Sequence, residues 1–193
     1  MSAAAPQLRS WTREEYYKMA ESGVFRPGER AELIGGKIFS VEPQSPSQST
    51  AISLTAEALR SSFLGFNYHV RIRGPLDLGS ASQPEPDIAV VHGTVRDYTK
   101  AHPTTAELVV EISEATLAFD RGEKASLYAS AGILEYWIVN LVDHCLEVHR
   151  DPIHMTGQPY GYGYRSRTQY FANDAVAPLA ISQSTLKVAD LLL

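Results

Sequence analysis

The chain has 193 residues, 44% hydrophobic and 20% charged, and its 17 Lys+Arg against 22 Asp+Glu give a formal net charge of -5. At that length a folded chain removes roughly 70% of its extended surface from water, so a core forms without staples, and a single cysteine, Cys145, allows neither an intrachain disulfide nor a CxxC metal knuckle. The acidic balance excludes a binder that holds nucleic acid by a basic face alone.

The apolar runs, such as Ile88 to Val91 and Tyr136 to Val139, fall far short of the ~20 residues a membrane span needs. The first ten residues carry neither a basic start nor an apolar signal core. No repeat or low-complexity tract interrupts the sequence. The expectation is one domain over 1–193 in a cytoplasmic, reducing location, with no membrane association.

In chain order, Thr12 and Glu15 have capping-box spacing, with Trp11 and Tyr16 placed to staple across it, and Gly23 ends that first helix. Arg30 to Ile34 and Lys37 to Val41 flank Gly35-Gly36, the positive-φ pair of a two-residue hairpin. The run from Ser47 to Phe63 puts Ile52, Leu59 and Phe63 near one helical face. Asn67 to Arg73 alternates, with Arg71 and Arg73 on one side, where they would reach backbone phosphates or face solvent.

Asp87 to Val91 and Glu107 to Ile112 are apolar apart from carboxylates at their ends, which suits strands buried on both faces. Asp120 and Glu123 again have capping-box spacing for a helix to Ser130, which places Lys124 in its first turn. Glu135 to Asn140 and His144 to Arg150 form a second hairpin, and Tyr160 to Phe171 is a strand on which Tyr160, Tyr162 and Tyr164 alternate. Arg165 and Arg167 would share a face there, and Leu186 to Leu192 packs as a strand and a helical turn. The fold class that results is α/β, a mixed β-sheet flanked by helices.

Chemistry concentrates in three residues. A carboxylate embedded in a buried strand is costly unless it is paired or binds metal, and Asp87 and Glu111 sit in two such strands. A lysine in a helix's first turn is opposed by the macrodipole, which points to an anionic cluster beside Lys124. Two carboxylates and an ammonium are the minimal set for metal-assisted phosphodiester hydrolysis, with oxygen ligands for Mg²⁺ or Mn²⁺ and a cation to orient the attacking water. The bland alternatives are a capping Asp and a Glu paired with an arginine. Six histidines form no HExxH or compact Cys/His set, so zinc is not expected, and the Gly-rich stretches lack any phosphate-loop context.

These residues carry a resemblance. Arg30-Ala31-Glu32-Leu33-Ile34-Gly35-Gly36-Lys37, Pro86-Asp87-Ile88-Ala89-Val90-Val91 and Val109-Val110-Glu111-Ile112-Ser113 resemble the Uma-two family of restriction endonuclease-like proteins, within the PD-(D/E)XK nuclease superfamily. Thr116, Asp120-Arg121, Lys124, Tyr128-Ala129, Gly132-Ile133 and Glu135 to Val139 continue the pattern. The resemblance implies a restriction endonuclease-like core and a Mg²⁺- or Mn²⁺-dependent endonuclease. Asp87, Glu111 and the Ile112 carbonyl would be metal ligands, Lys124 the catalytic cation, and Glu32 a further ligand or base.

Two positions depart from the pattern. Ser113 stands where the superfamily lysine normally sits, with Lys124 as its displaced equivalent, and Gln48 stands where relatives often have a histidine. The partner implied is DNA, bound weakly and with metal, by a chain that can pair as a homodimer. Two alternatives stay open: a catalytically silent member of the fold that binds nucleic acid or protein, and a hydrolase of small phosphoesters.

Overall fold

In a computed structural model, which describes residues 7–193, the first helix, α1 (Arg13–Glu21), starts at Thr12 with both halves of its capping box formed. Strands β1 (Arg30–Ile34) and β2 (Lys37–Val41) pair antiparallel across the Gly35-Gly36 turn. Both glycines are left-handed, at φ +57° and +73°, the conformation a type I′ turn demands and one that costs L-residues about 1–2 kcal/mol. Helix α2 (Pro46–Ser62) opens on a second capping box: the Ser45 hydroxyl accepts from the Gln48 amide, and the Gln48 side chain accepts from the Ser45 amide. It buries Ala51, Ile52, Thr55, Ala56 and Leu59, the face its periodicity predicts.

The main sheet has six strands: β3 (Tyr68–Ile72), β4 (Ile88–His92), β5 (Leu108–Ser113), β6 (Glu135–Asn140), β7 (Cys145–His154) and β8 (Tyr162–Tyr170), hydrogen-bonded in that order. All neighbours are antiparallel except β5 and β6. A parallel pair needs a crossover, and α3 (Leu117–Phe119), a π-helical turn (Asp120–Lys124) and α4 (Ala125–Ser130) supply it without a break. Every residue of β5 and β6 is buried, as expected of central strands covered on both faces.

One face packs on α2 and the C-terminal tail through Val110, Ile112, Trp137, Val139 and Leu146. The other packs on α4 through Val109, Tyr128, Tyr136, Ile138 and Tyr164. Fully burying such side chains stabilises by about 1.5–3 kcal/mol each. The tail adds a two-stranded pair, β9 (Ala175–Val176) with β10 (Leu186–Lys187), and a 3-10 turn over Val188–Asp190.

Four expectations are corrected. Asp120 is not an N-cap: the helical run begins at Leu117, and Asp120 is buried inside it, accepting from the Ser113 hydroxyl at 2.8 Å and the Thr116 hydroxyl at 2.6 Å. Lys124 is therefore well inside the run, and the first-turn argument for its neighbours does not apply. Arg71 and Arg73 do not form one phosphate-facing pair, because β3 ends at Ile72 and Arg73 turns left-handed at φ +48°. Tyr160 lies before β8, and Tyr164 is buried while Tyr162 is exposed, so the three tyrosines present no common surface.

Candidate active site

The register of the β4–β5 pair determines the centre of the site. Ile88 opposes Val110 and Ala89 opposes Val109, so one further step puts Asp87 opposite Glu111 on the α4 side of the sheet. Side chains directly opposite in an antiparallel pair share a face about 4.5–5.5 Å apart. Backbone amides cross-link the two carboxylates: Ile112 N–H donates to Asp87 Oδ2 at 3.0 Å and Asp87 N–H to Glu111 Oε2 at 3.4 Å.

Lys124 enters from the π-helical turn and is 7% exposed. A π turn carries one residue more per turn than an α turn and often re-aims side chains at functional sites; here it holds both Asp120 and Lys124 in the interior. Lys124 Nζ donates to Glu111 Oε1 at 2.9 Å and lies 3.2 Å from Glu32 Oε2. Glu32 reaches this point because β1 is buried along its length from Ala31 to Ile34. The hairpin is held there by Phe39 against Phe119, with ring centroids 4.9 Å apart, and by Leu33, whose backbone bridges to Gln83. Glu85, the other acid near Asp87, pairs with Arg30 at 3.1 Å.

The electrostatics follow from four carboxyls, Glu32, Asp87, Glu111 and Asp120, gathered around one ammonium. Burial pushes Glu111 up to about 8, with Asp87, Asp120 and Glu32 adding to the shift and Lys124 opposing it. Burial likewise raises Glu32, against Lys124, and Asp87, against the Ile112 amide and Lys124. Burial alone would lower Lys124, but Glu111 and Glu32 outweigh it and hold the ammonium well above its ordinary value. Lys124 is thus a fixed positive charge, while burial makes Glu32, Asp87 and Glu111 costly to ionise together.

A bound cation would favour the ionised form of these carboxyls, and the donor set fits Mg²⁺ or Mn²⁺, which take oxygen ligands from one or two carboxylates and leave positions for water and phosphate. Asp87 and Glu111 offer those two. Among the described residues, no group of three or more His, Cys, Asp or Glu side chains is arranged to hold a metal ion. Glu32 joins the site through Lys124, and the Ile112 peptide joins it through its amide contact to Asp87. The five residues line a cavity of about 440 Å³ together with Gln44, Gln48, Glu114 and others.

The basic residues proposed for phosphate contact scatter. Arg73 Nε lies 3.9 Å from Asp87 Oδ1, Arg71 sits 5.4 Å from the centre of the Tyr98 ring, and Arg167 Nη2 is 2.7 Å from Glu147. The Ser113 hydroxyl donates to Asp120 Oδ2 at 2.8 Å.

Sequence reasoning missed two contributors. Gln44 donates its side-chain amide to Asp87 Oδ1 at 3.1 Å from a loop, and nothing in the sequence pattern signals it. Tyr128 donates to Glu111 Oε1 at 2.7 Å; its position four residues after Lys124 on a helix was a usable signal, since such residues share a face.

A family model described as "Putative restriction endonuclease" (Uma2) matches residues 13–181. No curated protein matches the chain. Among solved structures, the chain is similar to one titled a putative nuclease belonging to DUF820 from Anabaena variabilis ATCC 29413. The identity is 16% and the TM-score 0.69, over 93% of this chain and 96% of that one.

Proposed function

Because the chain belongs to the Uma2 family, described as "Putative restriction endonuclease", we propose that it is a Mg²⁺- or Mn²⁺-dependent endonuclease that hydrolyses phosphodiester bonds in DNA. The observation that carries this reading is the convergence of Asp87, Glu111 and Lys124 within one cavity, from two strands and a helix. Asp87 and Glu111 would hold the ion, with the Ile112 carbonyl as a further oxygen. When bound, the ion supplies Lewis-acid stabilisation of the charge that builds on the phosphate.

The chain's own residues do the rest. Lys124 orients the attacking water and stabilises the negative charge that develops on its oxygen. Glu32, 3.2 Å from Lys124 Nζ, keeps the ammonium in place and can accept the proton the water loses. Attack at phosphorus in line with O3′ breaks the P–O3′ bond, and the departing 3′ oxygen takes a proton from solvent, which leaves a 3′ hydroxyl and a 5′ phosphate.

The test is conversion of supercoiled plasmid to nicked and linear forms in Mn²⁺. Nicking by the wild type that is lost in EDTA and in Lys124→Ala supports the reading. Equal nicking by Lys124→Ala, or none by the wild type, overturns it.

One observation favours a second reading, a catalytically silent member that binds nucleic acid or protein. Gln48, where the resemblance implies that relatives often have a histidine, spends its side-chain oxygen on capping α2. DNA binding equally tight in EDTA and in Mn²⁺, with no cleavage, would select that reading.

A further inference from the structure

We propose that Tyr128 is the positioning residue of the metal pair, holding Glu111 so that Oε2 is the oxygen presented to the ion. The inference rests on the reading of Asp87 and Glu111 as metal ligands and assigns which oxygen of Glu111 does the work. The Tyr128 ring is fully buried on α4 and packs on Tyr136, with centroids 5.1 Å apart, so its hydroxyl must find a protein partner. It donates to Glu111 Oε1 at 2.7 Å, the same oxygen that takes Lys124 Nζ at 2.9 Å.

Two short donors occupy Oε1. Oε2 receives only the Asp87 amide, at 3.4 Å, and lies on the Asp87 side. The carboxylate is therefore divided, with one oxygen tied to the helix and the other left toward its partner ligand. Lys124 cannot do this alone, because it is shared with Glu32. A core tyrosine that merely satisfies its hydroxyl would also bond somewhere, and Tyr136 is the internal control. Equally buried on the same face of the sheet, it donates to the backbone carbonyl of Asp120 at 3.1 Å and not to either proposed ligand.

Calorimetric titration of MnCl₂ into full-length wild type, Tyr128→Phe and Tyr136→Phe tests the proposal. Both substitutions keep the ring and remove one hydroxyl, so melting temperatures check that the fold survives. The expected result is a Mn²⁺ Kd raised about 10-fold or more in Tyr128→Phe, the scale at which outer groups tune metal ligands, and within twofold of wild type in Tyr136→Phe. Plasmid nicking gives a second readout: Tyr128→Phe should need correspondingly more Mn²⁺ for half-maximal rate and approach the wild-type rate at saturation.

Unchanged Mn²⁺ affinity in Tyr128→Phe overturns the positioning role while the metal reading stands. Equal weakening in both Phe variants overturns it as a general packing effect. A wild type that binds no Mn²⁺ overturns the metal reading and this inference together.

Discussion

With Lys124 removed, Glu32 and Glu111 face one another in the interior with no cation between them, and breaking a buried pair from one side typically costs about 3–5 kcal/mol. The raised Glu32 and Glu111 can escape part of that cost by taking up a proton. Lys124→Met is expected to lower stability by about 3 kcal/mol in urea unfolding at pH 7, near the lower end of that range. Glu147, on β7, is the contrasting case. It is fully buried, and burial would raise it, but the His149 ring, Arg121, Asn140 and the nearby Arg167 guanidinium bring it well below the usual carboxylate range. A depressed carboxyl contributes stability that is present above its unfolded value of about 4.3 and is lost as pH falls through the folded one. Glu147→Gln should therefore be less stable than wild type by about 3 kcal/mol at pH 7, because Arg121 and Arg167 are partly solvated. The difference should shrink steadily below about pH 5; a gap that stays constant to pH 3 would show that the carboxylate's charge is not what stabilises.

The hairpin and the helical crossover both contribute to the site, and their glycines respond oppositely to a methyl group. At Gly35 the φ is positive and an added Cβ would lie 2.5 Å from the Tyr160 hydroxyl, so Gly35→Ala should destabilise by more than 1 kcal/mol and loosen the strand that carries Glu32. Gly122, in the π-helical turn, has open space and no left-handed backbone. Gly122→Ala should raise stability by about 0.4–1 kcal/mol and leave nicking unchanged, as read by thermal melts and plasmid assay. The elements themselves were legible in the sequence where local chemistry is decisive: the Thr12/Glu15 box, the Gly35-Gly36 turn, and the apolar runs of β4, preceded by Asp87, and β5, which holds Glu111. Asp87 and Glu111 stood out because charge in an apolar strand is costly. The Asp120/Glu123 spacing misled, because a buried helix can use an aspartate to accept hydroxyls from Ser113 and Thr116 instead of capping. The pairing of Glu32 with Lys124 was hidden for a related reason, since it depends on how the hairpin packs against the helical crossover.

For the whole molecule, the net charge of -5 opposes a polyanionic substrate, and cations held by the acids that line the cavity would reduce that opposition. On the proposed reading, DNA affinity should be weak in EDTA and rise with Mn²⁺. It should also fall with added salt, as phosphate contacts do. Mn²⁺ should stabilise the fold as well, by about 2.7 kcal/mol at a hundredfold excess over its Kd. No helix among the described residues is long and apolar enough to cross a membrane, and β3 and β8 form the edges of the six-stranded sheet. The most direct measurement is anomalous diffraction from a crystal soaked in Mn²⁺. The account predicts a single strong peak between Asp87 and Glu111 with Glu111 Oε2 as a ligand oxygen; no peak at saturating Mn²⁺, or one held by other residues, would contradict it.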